Sequence, residues 1–132
     1  MQRTQRSAMR ILVAEDNPVT AAYIRAVFER YGWSVEVALD GARALELIER
    51  ERFDAVLVDW ILPRYDGIDV LQAIRQQSHQ VQPYVAIVTV VDSDAARQYC
   101  LACGANDFFT KPIDPDIVIE SIEEYYRTSQ RQ

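Results

Sequence analysis

The stretch Ala55-Val56-Leu57-Val58-Asp59-Trp60-Ile61-Leu62-Pro63-Arg64-Tyr65-Asp66-Gly67 settles the architecture. Its first four residues form a continuous apolar run, as in a strand buried on both faces, and the run ends on a carboxylate. Pro63 to Gly67 carries turn chemistry. Val70, Leu71 and Ile74 then recur at the spacing of a helix packed by one face. A buried strand followed by an amphipathic helix is the unit from which parallel sheets are built.

The same unit recurs on either side. Arg10 to Ala14 reads as a buried strand. Asn17-Pro18 then supplies an N-cap and an N1 proline, with Thr20, Ile24, Val27, Phe28 and Tyr31 at helical spacing until Gly32. Ser34 to Ala38 is a second strand, and Ala42 to Arg52 a helix with Ala44, Leu45 and Ile48 inward. Downstream, Tyr84 to Val88 is the fourth strand and Asp94 to Ala102 the fourth helix, closed by Gly104. Asp107 to Thr110 is a less apolar fifth strand, and Asp114-Pro115 opens a last helix with Val118, Ile122 and Tyr125 inward. Five such units with right-handed crossovers predict an α/β, doubly wound (βα)5 parallel sheet. The most apolar strands, first, third and fourth, belong at its centre. The order is then 2-1-3-4-5, the flavodoxin-like arrangement, whose site lies beyond the carboxyl ends of the strands.

The chain has 132 residues, enough for one domain with a full core and no disulfide staples. Residues 1–9 read as an N-terminal extension, 10–127 as the domain and 128–132 as a polar tail. Lys and Arg number 14 against 20 Asp and Glu, a formal charge of −6, which argues against direct nucleic-acid binding and against an anionic membrane surface. The apolar run Tyr84 to Val91 is far short of the roughly 20 residues of a spanning helix, and Ile11 to Ala14 is too short for a signal peptide. Two cysteines and no export signal point to a reducing cytoplasm.

The strand ends then carry the chemistry. Glu15 and Asp16 follow the first strand, Asp59 ends the third, Thr89 the fourth, and Lys111-Pro112 follows the fifth. Acids usually sit singly in solvent, but here separate strands bring three to one crevice. Close carboxylates repel unless neutralised, and a hard divalent cation with oxygen ligands neutralises them. Magnesium fits, with manganese as the alternative. Zinc does not, because no histidine or cysteine pair is near. Magnesium with open positions suits phosphate oxygens, Thr89 can donate to a phosphoryl oxygen and Lys111 supplies positive charge. Asp59 is the candidate nucleophile toward phosphorus.

Glu15-Asp16, Asp59 within V-L-V-D-W-I-L-P-R-Y-D-G, Thr89 within A-I-V-T, and Lys111-Pro112 within G-A-N-D-F-F-T-K-P together resemble the receiver domain of bacterial two-component response regulators. The resemblance covers about residues 10 to 126. It implies that Asp59 accepts a phosphoryl group from a histidine kinase or histidine phosphotransfer protein. It implies Asp16, Asp59 and the Ile61 backbone carbonyl as magnesium ligands, with Glu15 acting through water. Lys111 would contact the phosphoryl group, and the Lys111-Pro112 peptide would be cis. Thr89 and Phe108 would form the switch, with Phe108 swinging inward to reshape the face of the fourth helix, fifth strand and fifth helix. Phe at 108 lacks a hydroxyl, so its outward state should be less stabilised.

Ile61 and Val90 depart from the resemblance. Both are expected to crowd the phosphoryl site and slow self-dephosphorylation. Ile61 also stands where an aspartyl-phosphate phosphatase needs its acid/base aspartate, which counts against an enzyme. A third alternative is a degenerate receiver acting as a constitutive scaffold. Trp60 is expected to cover the site edge. Cys100 and Cys103 read as helix packing, with a redox role as the alternative, and His79 as a solvated loop residue. Pro18, Val19, Ala22 and Ala26 form a smooth exposed stripe on the first helix, on which the resemblance places kinase docking. Ile119 is expected to lie exposed on the last helix as a partner or homodimer contact. With nothing after Gln132, the expectation is a single-domain regulator, monomeric or weakly dimeric. It would signal to an unidentified downstream protein.

Overall fold

The computed structural model describes residues 9–78 and 81–130. Five strands, β1 (Arg10–Ala14), β2 (Ser34–Ala38), β3 (Ala55–Asp59), β4 (Tyr84–Thr89) and β5 (Asp107–Thr110), alternate with five helices. These are α1 (Pro18–Arg30), α2 (Gly41–Arg50), α3 (Gly67–Gln76), α4 (Asp94–Ala102) and α5 (Pro115–Gln130). The strands are all parallel in the order β2-β1-β3-β4-β5, as the apolar gradient predicts. Every residue of β3 and β4 is buried, whereas β2 and β5 are mixed and take the edges.

The pleat divides the core in two. Leu12, Val56, Val58, Val85, Ile87 and Phe108 face α2, α3 and α4. Ile11, Val13, Leu57, Ala86 and Val88 face α1 and α5. Asp59 follows Ala55 and Leu57 in alternation toward the α1/α5 side, and Thr89 follows Val85 and Ile87 toward the α4 side. Neighbouring strand ends thus deliver functional groups to opposite faces.

Local rules set the ends of the helices. The Asn17 side chain accepts the N–H groups of Val19 and Thr20, capping α1 ahead of Pro18. Asp66 and Asp69 form a reciprocal capping box on α3. Helix α2 stops at Arg50, short of the expected Arg52, because Glu51 turns extended and pairs with Arg10 at 2.6 Å. Tyr31 follows the last turn of α1 at the rim rather than in the core, its hydroxyl donating to Glu123 at 2.6 Å. Helix α5 continues through Gln130, past the boundary expected at 127. The loop expected around His79 and the extension over residues 1–8 lie outside the described residues.

One expectation on α5 is corrected. Ile119 is buried at 3% exposure, and Ile117 is the exposed isoleucine at 51%. Val118, Ile119 and Ile122, continued by Tyr125 and Tyr126, make the face that packs on the sheet. Ile117 falls outside that arc, beside the polar positions Glu120, Ser121 and Glu124. Among the described residues no helix is long and apolar enough to cross a membrane.

Candidate functional site

The site assembles where β1, β3 and β4 end and the β5–α5 loop crosses them. Leaving β1, the Glu15 N–H donates to the Ala38 carbonyl, which extends the ladder by one residue and buries the Glu15 side chain. Glu15 Oε2 accepts the Asn17 N–H at 3.0 Å. Asp59 is buried at the end of β3, and its Oδ1 accepts the Ile61 N–H at 3.2 Å. Asp16 is exposed. Glu15, Asp16 and Asp59 each bring a carboxylate oxygen within 4.8 Å of the others.

Lys111 enters from the far side. Its backbone N–H donates to the Thr89 carbonyl at 2.8 Å, and its Nζ reaches Asp59 Oδ2 at 2.6 Å and Glu15 Oε1 at 2.9 Å. Burial works against the ammonium, but hydrogen bonds and attraction from Asp59 and Glu15 outweigh it and hold the Lys111 pKa above its usual value. Charges about 5 Å apart interact by about 3 kcal/mol at an effective dielectric near 20. The ammonium can therefore offset the repulsion between Asp59 and Glu15. No cation pairs with Asp16 among the described residues, so the cluster keeps an excess of negative charge at the solvent edge. Three hard oxygen donors with uncompensated charge fit Mg²⁺ or Mn²⁺ in donor type and charge.

Thr89 is 1% exposed, and its Oγ1 accepts the Val91 N–H at 3.2 Å, so the hydroxyl proton can be turned to another acceptor. An apolar cavity of about 490 Å³ opens beside the cluster. Glu15, Asp59 and Lys111 close one end, and Val19, Tyr23, Val90 and Ile113 line the rest.

A response regulator receiver domain model matches residues 11–123. The chain belongs to that family. This receiver domain is 32% identical over 122 residues to the response regulator MprA of Mycobacterium leprae, a match covering 92% of the chain and 53% of the relative. The chain thus spans about half the length of the curated relatives it resembles. Among solved structures, the receiver domain of the Francisella response regulator 1452 superposes with a TM-score of 0.84 at 33% identity, over 92% of this chain and 98% of that one. The receiver domain of a sensor histidine kinase from Pseudomonas aeruginosa PAO1, solved with magnesium in its active-site cleft, gives 0.79 at 31% identity, over 89% and 97%. Phosphorylation and Mg²⁺ binding are general features of receiver domains.

The residues singled out from the sequence divide clearly. Glu15, Asp16, Asp59 and Lys111 of this receiver domain come together, and the Lys111-Pro112 peptide is cis. Val90 shares the cavity with Asp59, but the Ile61 side chain is 66% exposed and only its backbone meets the Asp59 carboxylate. Phe108 lies inward at 3% exposure, with the Arg97 guanidinium 5.3 Å from its ring centre. Pro18, Val19, Ala22 and Ala26 are exposed on α1, although Tyr23, at 57% exposure, interrupts the smooth stripe. Trp60 stacks on Tyr99 of α4 and does not line the cavity beside Asp59.

Gly67 escaped the sequence analysis as a site residue. A Cβ there would lie 2.6 Å from the Asp59 carbonyl oxygen, and the Gly67 N–H donates to the Trp60 carbonyl at 2.8 Å. Only glycine lets α3 start this close to the end of β3. The Asp-Gly pair before an apolar helix was the available signal.

Proposed function

We propose that this domain is the phosphoacceptor of a two-component relay and that Asp59 takes the phosphoryl group from a histidine kinase or histidine phosphotransfer protein. The observation that carries this is the pairing of one buried Asp59 oxygen with Lys111 at 2.6 Å, within a cluster of three carboxylates.

Asp16, Asp59 and the Ile61 carbonyl would hold Mg²⁺, with Glu15 acting through water. When bound, the ion supplies charge neutralisation and orients phosphoryl oxygens. An Asp59 oxygen attacks phosphorus, the bond from phosphorus to the donor's imidazole nitrogen breaks, and the electron pair leaves with the imidazole. Lys111 is already inside the cluster, so its ammonium meets the incoming negative charge without being recruited. Thr89 turns its hydroxyl proton to a phosphoryl oxygen. That movement changes the packing beside Phe108, which shares its face of the sheet, and so reaches the surface of α4, β5 and α5.

A cytoplasmic location and a downstream protein partner accord with this role. The stripe Pro18, Val19, Ala22 and Ala26 is the docking side, next to the cavity that ends at Asp59. Incubation with acetyl phosphate and Mg²⁺ should add one phosphoryl group by intact-mass measurement, and Asp59→Asn should add none. Equal incorporation by parent and variant would sink the assignment. No incorporation by either would favour a constitutive scaffold.

A further inference from the structure

Helix α4 is held to the body by few contacts. Of its nine residues only Cys100 is fully buried, with Ala96 and Cys103 packed part-way against the same core. Two further contacts fall on aromatic rings. The Arg97 guanidinium covers Phe108, and the Tyr99 ring stacks on Trp60 with centroids 6.0 Å apart and planes inclined by 11°. The first contact leads toward Thr89. The second leads to the residue beside Asp59.

Trp60 is well placed to transmit a change. Its backbone N–H donates to the Val88 carbonyl at 2.8 Å, and its carbonyl accepts the Gly67 N–H at 2.8 Å. The residue is therefore pinned between β4 and the start of α3. It lies between Asp59 and Ile61, whose N–H holds the Asp59 carboxylate. Residue 60 joins Asp59 to Ile61 through its backbone, and its indole lies on Tyr99. Tyr99 is 52% exposed. The stack thus sits on the rim of α4, where it can be made or broken without opening the core.

We propose that the Trp60–Tyr99 stack is a second link from Asp59 to α4, acting beside Thr89 and Phe108, with Trp60 and Tyr99 as positioning residues for the output face. It rests on the reading of Asp59 as phosphoacceptor. An aromatic pair of this kind shifts a two-state equilibrium on the order of two- to tenfold. That is enough to bias a lightly held helix and too little to set the fold.

The test follows hydrogen exchange of the α4 amides on the whole chain, with and without beryllofluoride plus Mg²⁺. Beryllofluoride binding is measured separately by fluorine NMR. In Tyr99→Leu the beryllofluoride-induced change in α4 exchange should shrink at least about twofold at unchanged beryllofluoride affinity. Tyr99→Phe, which keeps the ring and loses the hydroxyl, should retain the parental change. A merely structural Tyr99 would alter exchange equally in both states and leave the induced difference intact, which would overturn the proposal. So would Tyr99→Phe behaving like Tyr99→Leu, because the effect would then belong to the hydroxyl and not to the ring. If beryllofluoride binds neither parent nor variant, the phosphoacceptor assignment fails and takes the link with it.

Discussion

The two ends of the sheet treat polar groups in opposite ways. At the amino ends of β3, β4 and β5, Arg75 donates to the Gly104 and Pro83 carbonyls and to the side chains of Gln82 and Asn106, all between 2.8 and 3.0 Å. Gly104 adopts φ 115° there, with the Arg75 side chain 3.2 Å from where a Cβ would stand. The Tyr84 hydroxyl donates to Asp107, the Tyr126 hydroxyl to the Asp54 carbonyl, and the Arg10 N–H to the Asp54 carboxylate. At the carboxyl ends, three carboxylates face one ammonium. Around β3, β4 and β5 the amino end completes these hydrogen bonds within the chain and contributes stability, although the buried Trp33 Nε1 beside β2 has no partner among the described residues. The carboxyl end is left electrically incomplete, so it gains most when a cation and a phosphoryl group arrive.

Breaking the satisfied end should have the largest effect. Arg75→Ala strands the Gly104 and Pro83 carbonyls and the Gln82 side-chain oxygen, while Asn106 Oδ1 keeps the Val85 N–H, and is expected to cost about 2–4 kcal/mol in urea unfolding. Phosphoryl uptake from acetyl phosphate should persist at low temperature. Loss of uptake in a folded variant would show that the two ends are not separable.

Lys111→Met tests the other end. In metal-free buffer it should lower stability by about 1–2 kcal/mol, allowing for solvent around a quarter-exposed ammonium. Mg²⁺ should then stabilise the variant more than the parent, because the ion meets less positive charge. Equal stabilisation of both would show that the charge excess is not what recruits the ion.

A smaller effect is expected at high pH. Burial first, then its bonded neighbour Asp107, holds the Tyr84 proton well above the usual tyrosine range. A raised folded pKa stabilises fully below the unfolded value near 10, and that stability is lost as pH climbs toward the folded value. Tyr84→Phe should therefore flatten the fall in unfolding free energy above about pH 10. An unchanged slope would place the alkaline sensitivity at other groups whose pKa is raised, Tyr126, Cys100 and Lys111 among them. The mildest change expected is a severalfold faster loss of the phosphoryl group in Val90→Ala, followed by intact mass over time. No acceleration would mean that Val90, 69% exposed, does not screen the site.

The carboxyl end was legible in the sequence because its residues sit at fixed offsets from apolar runs. An acid ending a buried strand of a parallel sheet has one place to go, so Glu15, Asp16, Asp59 and Lys111 could be grouped before any distance was known. The amino end was not legible. The partners of Arg75 lie 7 to 31 residues away, at positions no short-range pattern marks. Trp60 and Tyr99 failed for the same reason, being joined only by the packing of α4. Ile119 is different, because its signal existed. Ile119, Ile122 and Tyr126 recur at i, i+3 and i+7, whereas Ile117 has Glu120, Ser121 and Glu124 in the equivalent places. Three adjacent apolar residues compete for the inward face, and their partners one and two turns on decide which of them turns to solvent.

Asn17 joins two jobs in one residue, since its side chain begins α1 while its N–H grips Glu15. The first helix and the acids therefore share a common bearing. A protein that seats itself on α1 meets Asp59 at the same angle whatever α4 is doing on the reverse of the sheet. If α1 takes the donor as proposed, α4 on the reverse of the sheet stays open to a listener, whereas α5 shares the donor's side.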